Sequence, residues 1–133
     1  MCDIQYNGDR WKKIGVVKLE NKNTDALFDS LILELRRGTI ILSVLSQLKE
    51  QQYGYSLIVL LQEKGIEIDA GTLYPLLRRL EKQELLESSW DVESAKPRKY
   101  YKLSVYGCTI YEKLCRHWAE MVETMDRLIK ERV

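Results

Sequence analysis

Several residue types on which common protein activities depend are scarce in this chain of 133 residues. His117 is the single histidine, which argues against a metal site, since zinc sites combine several histidine or cysteine ligands. The three cysteines, Cys2, Cys108 and Cys115, are an odd number without framework spacing and indicate reduced thiols. The sequence contains no Ser/His/Asp set, glycine-rich phosphate loop or metal-ligand spacing. It therefore predicts neither an enzyme nor a protein with a metal or other cofactor.

Long apolar runs are also missing. No stretch approaches the run of about eighteen apolar residues that a membrane-spanning helix needs. The first residues lack the charged and then apolar pattern of a secretion signal. We therefore expect a protein that stays in the cytoplasm and has no membrane partner.

An excess of charge of one sign is absent as well. Lysine and arginine number 21 and aspartate and glutamate 20, so the net charge is +1. This balance counts mildly against nucleic-acid binding, which then depends on a local basic patch. With 45% hydrophobic and 31% charged residues, the composition is that of one globular domain with appendages.

The most informative stretch begins at Asp69 and predicts a short amphipathic helix that runs to about Gln83. Its buried face has leucines at the i, i+3, i+4, i+7 spacing: Leu73, Leu76, Leu77 and Leu80. Its outer face carries hydroxyl and basic side chains: Thr72, Tyr74, Pro75, Arg78, Arg79 and Lys82. Either Asp69 or Thr72 can cap the helix. Pro75 is tolerated if Thr72 is the cap, because the proline then lies among the first amides, which have no intrahelical partner.

A strand–turn–strand follows this helix. Residues 88–92 and 98–103 are rich in aromatic and β-branched side chains, and a polar loop with Pro97 separates them. Four cations of the wing occur between residues 96 and 102 with no acid between them: Lys96, Arg98, Lys99 and Lys102. A helix with a basic, hydroxyl-bearing face followed by a basic two-stranded wing suits double-stranded DNA. The helix fits the major groove, and the wing reaches along the phosphates.

Elements before this region are predicted less sharply. Residues 24–51 are helical with Thr24 as cap, and Gly38 either divides them into two helices or lies within one. A turn over 51–54 leads to a helix from Tyr55 to Lys64 that Gly65 ends, and residues 66–68 form a short third strand. Residues 1–23 are a basic, strand-like arm. It packs on its own domain or a partner, or it is a second DNA-contacting arm.

Residues 105–132 predict a long helix with a heptad seam. The seam and its flank consist of Tyr111, Leu114, Cys115, Trp118, Met121, Val122, Met125, Leu128 and Ile129. A small domain cannot bury so broad a stripe alone, so we expect a partner helix and a symmetric homodimer. The predicted fold is mainly α with a small β wing. Residues 1–23 form the arm, 24–104 the winged-helix domain and 105–133 the dimerisation helix.

Four short pieces carry a resemblance to a known family: Gly54-Tyr55, Gly-Thr-Leu-Tyr-Pro at 71–75, Arg79-Leu80-Glu81 and Pro-Arg-Lys-Tyr-Tyr at 97–101. Over roughly residues 36 to 130 the chain resembles the short winged helix-turn-helix type of PadR transcriptional regulator of bacteria and archaea. The resemblance implies a dimeric repressor whose last helix packs on the first helix of the partner subunit. Residues 1–30 have no counterpart in it.

The basic face and the resemblance together predict DNA contacts at Tyr55, Thr72, Tyr74, Pro75, Arg78, Lys96, Arg98 and Lys99. We expect Thr72, Tyr74 and Pro75 near base edges and adjacent phosphates. Tyr55 and Arg78 contact phosphate, and the wing cations hold the backbone or enter the minor groove. Of Tyr100 and Tyr101, which alternate across the strand, one belongs to the core and the other is free to touch phosphate. The competing interpretation is a winged-helix module that binds protein without recognising DNA, which the near-neutral charge slightly favours.

Trp118 and the cysteines of the last helix each have two interpretations. Trp118 packs in the dimer core, or, as the resemblance implies, a Trp118 pair at the interface sandwiches a flat hydrophobic effector that releases the repressor. Cys108 and Cys115 pack as small hydrophobes. The alternative is a redox switch, for which the sequence has no nearby cationic cluster to lower a thiol pKa apart from Arg116 and His117.

Overall fold

The computed structural model describes residues 4–7, 10–13 and 23–131. Its elements are β1 (Ile4–Asn7), β2 (Arg10–Lys13), α1 (Thr24–Arg37), α2 (Ile40–Ser46), β3 (Gln52–Tyr53), α3 (Gly54–Glu63), α4 (Ala70–Lys82), β4 (Leu86–Asp91), β5 (Arg98–Leu103) and α5 (Val105–Lys130). β1 and β2 form an antiparallel hairpin, and a second sheet has the strand order β3-β5-β4. The predicted fold class, mainly α with a small wing and a long last helix, is confirmed. The rest of the predicted basic arm, residues 1–3, 8–9 and 14–22, lies outside the described residues.

Leucines of three helices and the wing make one core. The four buried residues of α4, Leu73, Leu76, Leu77 and Leu80, are those that the helical spacing predicts. They pack with Val44, Leu45, Leu48, Leu57, Leu61, Leu86, Tyr101 and Leu103. Each fully buried leucine contributes about 1.5–3 kcal/mol. The core therefore holds α3, α4 and the wing as one unit.

Both helices of the helix-turn-helix end in the same hydrogen-bonded motif. After α3, Gly65 has φ +90°, the Ile66 amide donates to the Leu61 carbonyl at 2.8 Å, and the Gly65 amide donates to Gln62 at 3.0 Å. The prediction that Gly65 ends this helix is confirmed. After α4, Glu84 takes φ +65° instead of a glycine, and the Leu85 amide donates to the Leu80 carbonyl at 3.0 Å. These bonds fix the direction in which the chain leaves each helix.

The third strand is not where the sequence predicts it. It is Gln52–Tyr53, which was expected to be a turn, and its residues pair with Tyr101 and Tyr100 of β5. Residues 66–68 are not a strand, and Ile66 and Ile68 pack on the core from the loop. A strand of two residues is too short to show alternation, so the sequence pattern carries no signal for it.

The cap of α1 differs from the predicted one, whereas α4 uses one of its two predicted caps. Asn23, not Thr24, caps α1, because its side-chain oxygen accepts from the Ala26 amide at 3.1 Å. Gly38 follows α1 directly, so this region is two helices. Asp69 caps α4 by accepting from the Thr72 amide at 2.7 Å. Pro75 consequently lies inside α4, not among its first amides, and the Gly71 carbonyl loses its usual donor.

Candidate nucleic-acid interface

The exposed side of α4 presents three of the predicted DNA-contacting residues. Thr72, Pro75 and Arg78 are exposed, while the leucines between them are buried. Arg79 is exposed as well, and helical spacing places it in line with Thr72 and Pro75. Neither arginine has an acidic partner within 4.0 Å among the described residues. Arg79 is therefore a further candidate contact, which its position on the predicted outer face could have identified.

The sequence interpretation placed Tyr74 on the outer face of α4, away from the packing. In the structure its side chain does not project freely from the helix. Its ring lies against Gly54 at the start of α3, where an added Cβ would be 2.6 Å from the phenol oxygen. Tyr74 is 37% exposed, against 64% for Tyr55 in the first turn of α3. The ring fills the space that the missing side chain of Gly54 leaves. Gly54 and Tyr74 are thus one contact between the two helices, and the assumption that Tyr74 is separate from the packing is wrong.

A charged network joins the end of α4 to the wing. Lys99 Nζ lies 2.9 Å from Glu81 Oε1, and Ser88 Oγ donates to Glu81 Oε2. Lys99 Nζ also lies 5.1 Å from the centre of the Tyr101 ring. The Ser88 hydrogen bond and the nearby ammonium lower the pKa of Glu81, and the hydrogen bond to Glu81 raises the pKa of Lys99. Glu81 thus contacts both wing strands, and the Lys99 charge is partly neutralised.

Arg98 is held by stacking. Its guanidinium lies 4.5 Å from the centre of the Tyr53 ring, and Tyr53 meets Tyr100 edge-on at 5.6 Å. Arg98 is exposed and has no ion pair among the described residues. Tyr101 is 5% exposed and is the core member of its pair, as one of the two was predicted to be. Stacking limits the orientations of the guanidinium and leaves its donors free for an anion.

The wing is less basic than the run of cations in β5 suggests. The strand register puts Asp91 opposite Arg98 and Glu87 opposite Lys102. Lys96 lies in the exposed loop, where its carbonyl accepts from Ser94 Oγ at 2.7 Å. The acids stand on the other strand, so a scan along the sequence does not place them beside the cations. Among the predicted wing contacts, Lys99 is paired with Glu81, whereas Lys96 and Arg98 make no ion pair within 4.0 Å among the described residues.

The predicted seam on α5 divides into two parts. Tyr111 and Leu114 are half-buried and pack on the core of their own chain. Trp118, Met121, Val122, Met125 and Ile129 are 39–48% exposed. Cys115 is half-buried, and its thiol, one helical turn from Tyr111, raises the pKa of the Tyr111 phenol. Cys108 is exposed in the single chain, and Cys2 lies outside the described residues.

An apolar groove of about 590 Å³ lies between the α1–α2 junction and α5. Its walls consist of Leu35, Gly38, Thr39, Ile41, Leu42, Leu114, His117, Trp118, Met121, Val122, Met125 and Asp126. The groove is lined mostly by hydrophobic side chains with a few polar groups at its edge, which is typical of sites for apolar small molecules.

The described parts of the chain carry no cluster of three or more histidine, cysteine or acidic side chains that could hold a metal ion. Among the same residues, no helix combines the length and hydropathy needed to cross a bilayer.

The similarity to known proteins covers the helix-turn-helix, the wing and much of α5. The model of the transcriptional regulator PadR-like family matches residues 41–121. The crystal structure of a PadR family transcriptional regulator from Eggerthella lenta is 44% identical and aligns over 81% of this chain and 96% of that one, with a TM-score of 0.78. A PadR-like transcription factor from Bacteroides fragilis is 37% identical over 75% of this chain and 99% of its own, with a TM-score of 0.63.

An uncharacterised protein of Lysinibacillus sphaericus is 33% identical over 83 residues, which are 59% of this chain and 76% of that protein. The family match covers more than half of the chain and includes the helix-turn-helix, the wing and most of α5. The chain therefore belongs to the PadR-like family of transcriptional regulators, which are DNA-binding proteins and not enzymes.

Proposed function

We propose that this regulator is a homodimeric repressor whose two recognition helices and two wings occupy a pseudo-palindromic operator. The observation that carries the dimer is the exposed apolar surface of the first and last helices. No residue of α1, all of which the structure describes, is buried. Five of its large apolar residues are 52–71% exposed: Leu27, Phe28, Leu31, Leu33 and Leu35.

A second copy of the chain is the cover that fits this surface. Monomeric soluble proteins rarely expose a contiguous apolar patch of more than a few hundred Å². Leu27, Phe28, Leu31 and Leu35 share one side of α1, and α5 presents its own stripe from Trp118 onward. In a dimer with a two-fold axis, α1 of each subunit covers the apolar stripe of α5 of the other subunit, so the same contact forms twice.

The exposed residues of α4 and the wing support the proposed DNA contacts. Thr72 and Pro75 approach base edges in the major groove, and the free edge of Tyr74 lies beside them. Arg78, Arg79 and Tyr55 contact phosphates on either side. Lys96 and Arg98 hold the backbone through the wing. Lys99 contributes less than its neighbours, because its ammonium is already paired with Glu81.

The groove beside Trp118 is the proposed site of a flat hydrophobic effector. The ligand stacks on the indole and replaces water on the surrounding leucine and methionine side chains. Since the groove is bounded by α5 and the α1–α2 junction, occupation changes how the two subunits sit on one another. The separation of the recognition helices, and so the operator affinity, changes with it.

A binding assay on the DNA upstream of its own gene tests this function. Light scattering at the assay concentration gives the oligomeric state, and titrations at several salt concentrations give affinity for the upstream duplex and a scrambled one. We expect a dimer that prefers the upstream duplex and loses affinity as salt rises, since phosphate contacts release counterions. A monomer bound to DNA contradicts the dimer, and equal affinity for both duplexes contradicts operator recognition.

A second experiment tests the effector site with a planar hydrophobic dye, added to the wild type and to the Trp118→Phe variant. The dye should bind with quenching of tryptophan fluorescence in the wild type, and binding should weaken operator affinity. The variant keeps an aromatic ring but loses the larger indole surface and its emission. Dye binding that leaves operator affinity unchanged would remove the regulatory role from the groove.

A further inference from the structure

Ser104 lies where the segment after the recognition helix meets the start of α5. Its Oγ accepts from the Gly107 amide at 2.8 Å and so caps α5. The same Oγ lies 2.6 Å from the Glu84 carbonyl, to which it donates, and 3.2 Å from the Leu85 carbonyl. The Ser104 amide donates to the Leu85 carbonyl at 3.0 Å. One residue is therefore bonded both to α5 and to the chain that leaves α4.

At Gly107, the backbone of α5 lies directly against the backbone of Leu85. A Cβ at Gly107 would overlap the Leu85 carbonyl oxygen and lie 3.2 Å from the Leu103 side chain. Only glycine allows this approach, so no flexible side chain cushions it. The Leu85 amide is in turn bonded to the Leu80 carbonyl within α4. A continuous series of hydrogen bonds thus runs from the last turns of α4 to the first turn of α5.

We propose that this Ser104 joint, formed by Ser104 and Gly107 with Glu84 and Leu85, fixes the recognition helix relative to α5. A displacement of α5 then moves α4, and Ser104 is a positioning residue for DNA binding that need not touch DNA. The inference rests on the proposed dimer, in which α5 sets the distance between the two recognition helices. α5 otherwise packs on its own chain mainly through α2 and β5, so the joint is its most direct connection to α4. Coupling requires such a defined physical link.

Three substitutions at Ser104 distinguish its two roles, which are to cap α5 and to donate a hydrogen bond to the Glu84 carbonyl. Ser104→Thr keeps both the acceptor that caps α5 and the proton donated to Glu84. Ser104→Asp keeps the cap acceptor, but its carboxylate has no proton to donate and faces two carbonyl oxygens. Ser104→Ala loses both functions. The Ser104→Thr and Ser104→Asp variants therefore both keep the cap of α5, and they differ in the hydrogen bond to the Glu84 carbonyl.

We expect Ser104→Thr to bind the upstream duplex like the wild type. Ser104→Asp should remain folded and dimeric yet bind at least about fivefold more weakly, the scale of losing one net hydrogen bond in each of the two subunits. Circular dichroism and light scattering check the fold and the dimer at the same concentration. Operator affinity for Ser104→Asp equal to that for Ser104→Thr overturns the positioning role.

Amide hydrogen exchange measured by NMR supplies a readout that does not depend on DNA. In the wild type the amides of residues 104 and 107 should both be protected. In Ser104→Asp the amide of Gly107 should stay protected while that of residue 104 exchanges faster. A wild-type residue 104 amide without protection overturns the joint. A monomeric protein with both amides protected would instead refute the proposed dimer and leave the bonded joint standing.

Discussion

The winged-helix core and the two long helices that flank it use the same apolar residue types and place them in opposite environments. α4 buries four leucines on one face, whereas α1 has four leucines and one phenylalanine that are more than half exposed. In both helices the apolar residues recur at helical spacing. The spacing therefore identifies the face that needs a cover, but it does not say whether the same chain supplies that cover. In the core the sheet and two helices supply it, and for α1 and α5 we propose a second subunit.

The largest effect should come from charge placed in the exposed stripe of α5. Val122→Glu with Met125→Glu puts carboxylates where the proposed dimer buries methyl groups, and each unpaired buried ion costs several kcal/mol. Because both side chains are 39–48% exposed in the single chain, the fold should survive while the dimer dissociates. Light scattering and circular dichroism measure the two properties. An intact dimer would contradict the proposed interface.

A pair of leucine-to-alanine variants tests the comparison directly. Leu77 is fully buried and Leu31 is 52% exposed. Leu77→Ala should lower the free energy of unfolding by about 2–5 kcal/mol at every protein concentration, because it leaves a cavity. Leu31→Ala should instead raise the dimer dissociation constant and scarcely change the unfolding of the monomer. Urea unfolding and sedimentation at two concentrations distinguish the two results. Equal loss of monomer stability in both variants would remove the distinction between the regions.

The sequence predicts the local features of the fold better than the contacts between distant segments. The buried face of α4, the end of α3 at Gly65 and the extent of β5 follow from local spacing or from one residue's conformational preference. β3 and the Gly54–Tyr74 contact depend on segments that meet only in the folded chain. A linear pattern carries no information about such pairs, so both were missed.

The same limit applies to the charges of the candidate interface. β5 presents its cations as an uninterrupted basic run, but the register places Asp91 and Glu87 beside it and α4 brings Glu81 to Lys99. Residue type and spacing therefore predicted which cations belong to the wing. They could not predict which of those cations the fold neutralises.

Tyr74 offers a smaller test within the helix-turn-helix. Tyr74→Ala should lower the free energy of unfolding by about 1–3 kcal/mol, below the value for a fully buried aromatic, because the ring packs on Gly54 but is 37% exposed. Tyr74→Phe keeps the ring and loses only the hydroxyl. If the hydroxyl contacts DNA, the Phe variant should weaken binding to the upstream duplex without losing stability. Urea unfolding and DNA titration at one fixed salt concentration measure these effects, and a fully stable Ala variant would contradict the packing role.

The two neighbouring cations of β5 should differ in their effect on salt dependence. Arg98→Ala should reduce the slope of log affinity against log salt by about 1.8, because the dimer loses one phosphate contact, each contributing about 0.9 on duplex DNA, in each of its two subunits. Lys99→Ala should change the slope less, because Lys99 is already paired with Glu81 at 2.9 Å. Titrations of each single variant at four salt concentrations give the slopes. A larger change for Lys99→Ala would mean that DNA displaces Glu81 from the ammonium.

The smallest expected effect concerns the Glu81 network and its dependence on pH. The folded-state pKa of Glu81 is lowered by Ser88 and Lys99, so the network stabilises the fold above the unfolded-state pKa of glutamate, about 4.3. That contribution is lost as pH falls through the lower folded-state pKa. The pKa of Lys99 is raised, so its contribution is present below about 10.4 and is lost only at higher pH.

Glu81→Gln removes the charge and keeps the shape of the side chain. Because both side chains are 29% exposed, the loss at pH 7 should be at most about 1 kcal/mol. Urea unfolding of wild type and variant from pH 3 to pH 8 should give a constant difference above about pH 5 that shrinks below about pH 4. Glu87→Gln is the matched control, since Glu87 is an exposed acid of the same wing without an ion pair among the described residues. A difference that is the same at pH 3 and pH 7, or equal in the control, would mean that the ionised network does not hold the wing to α4.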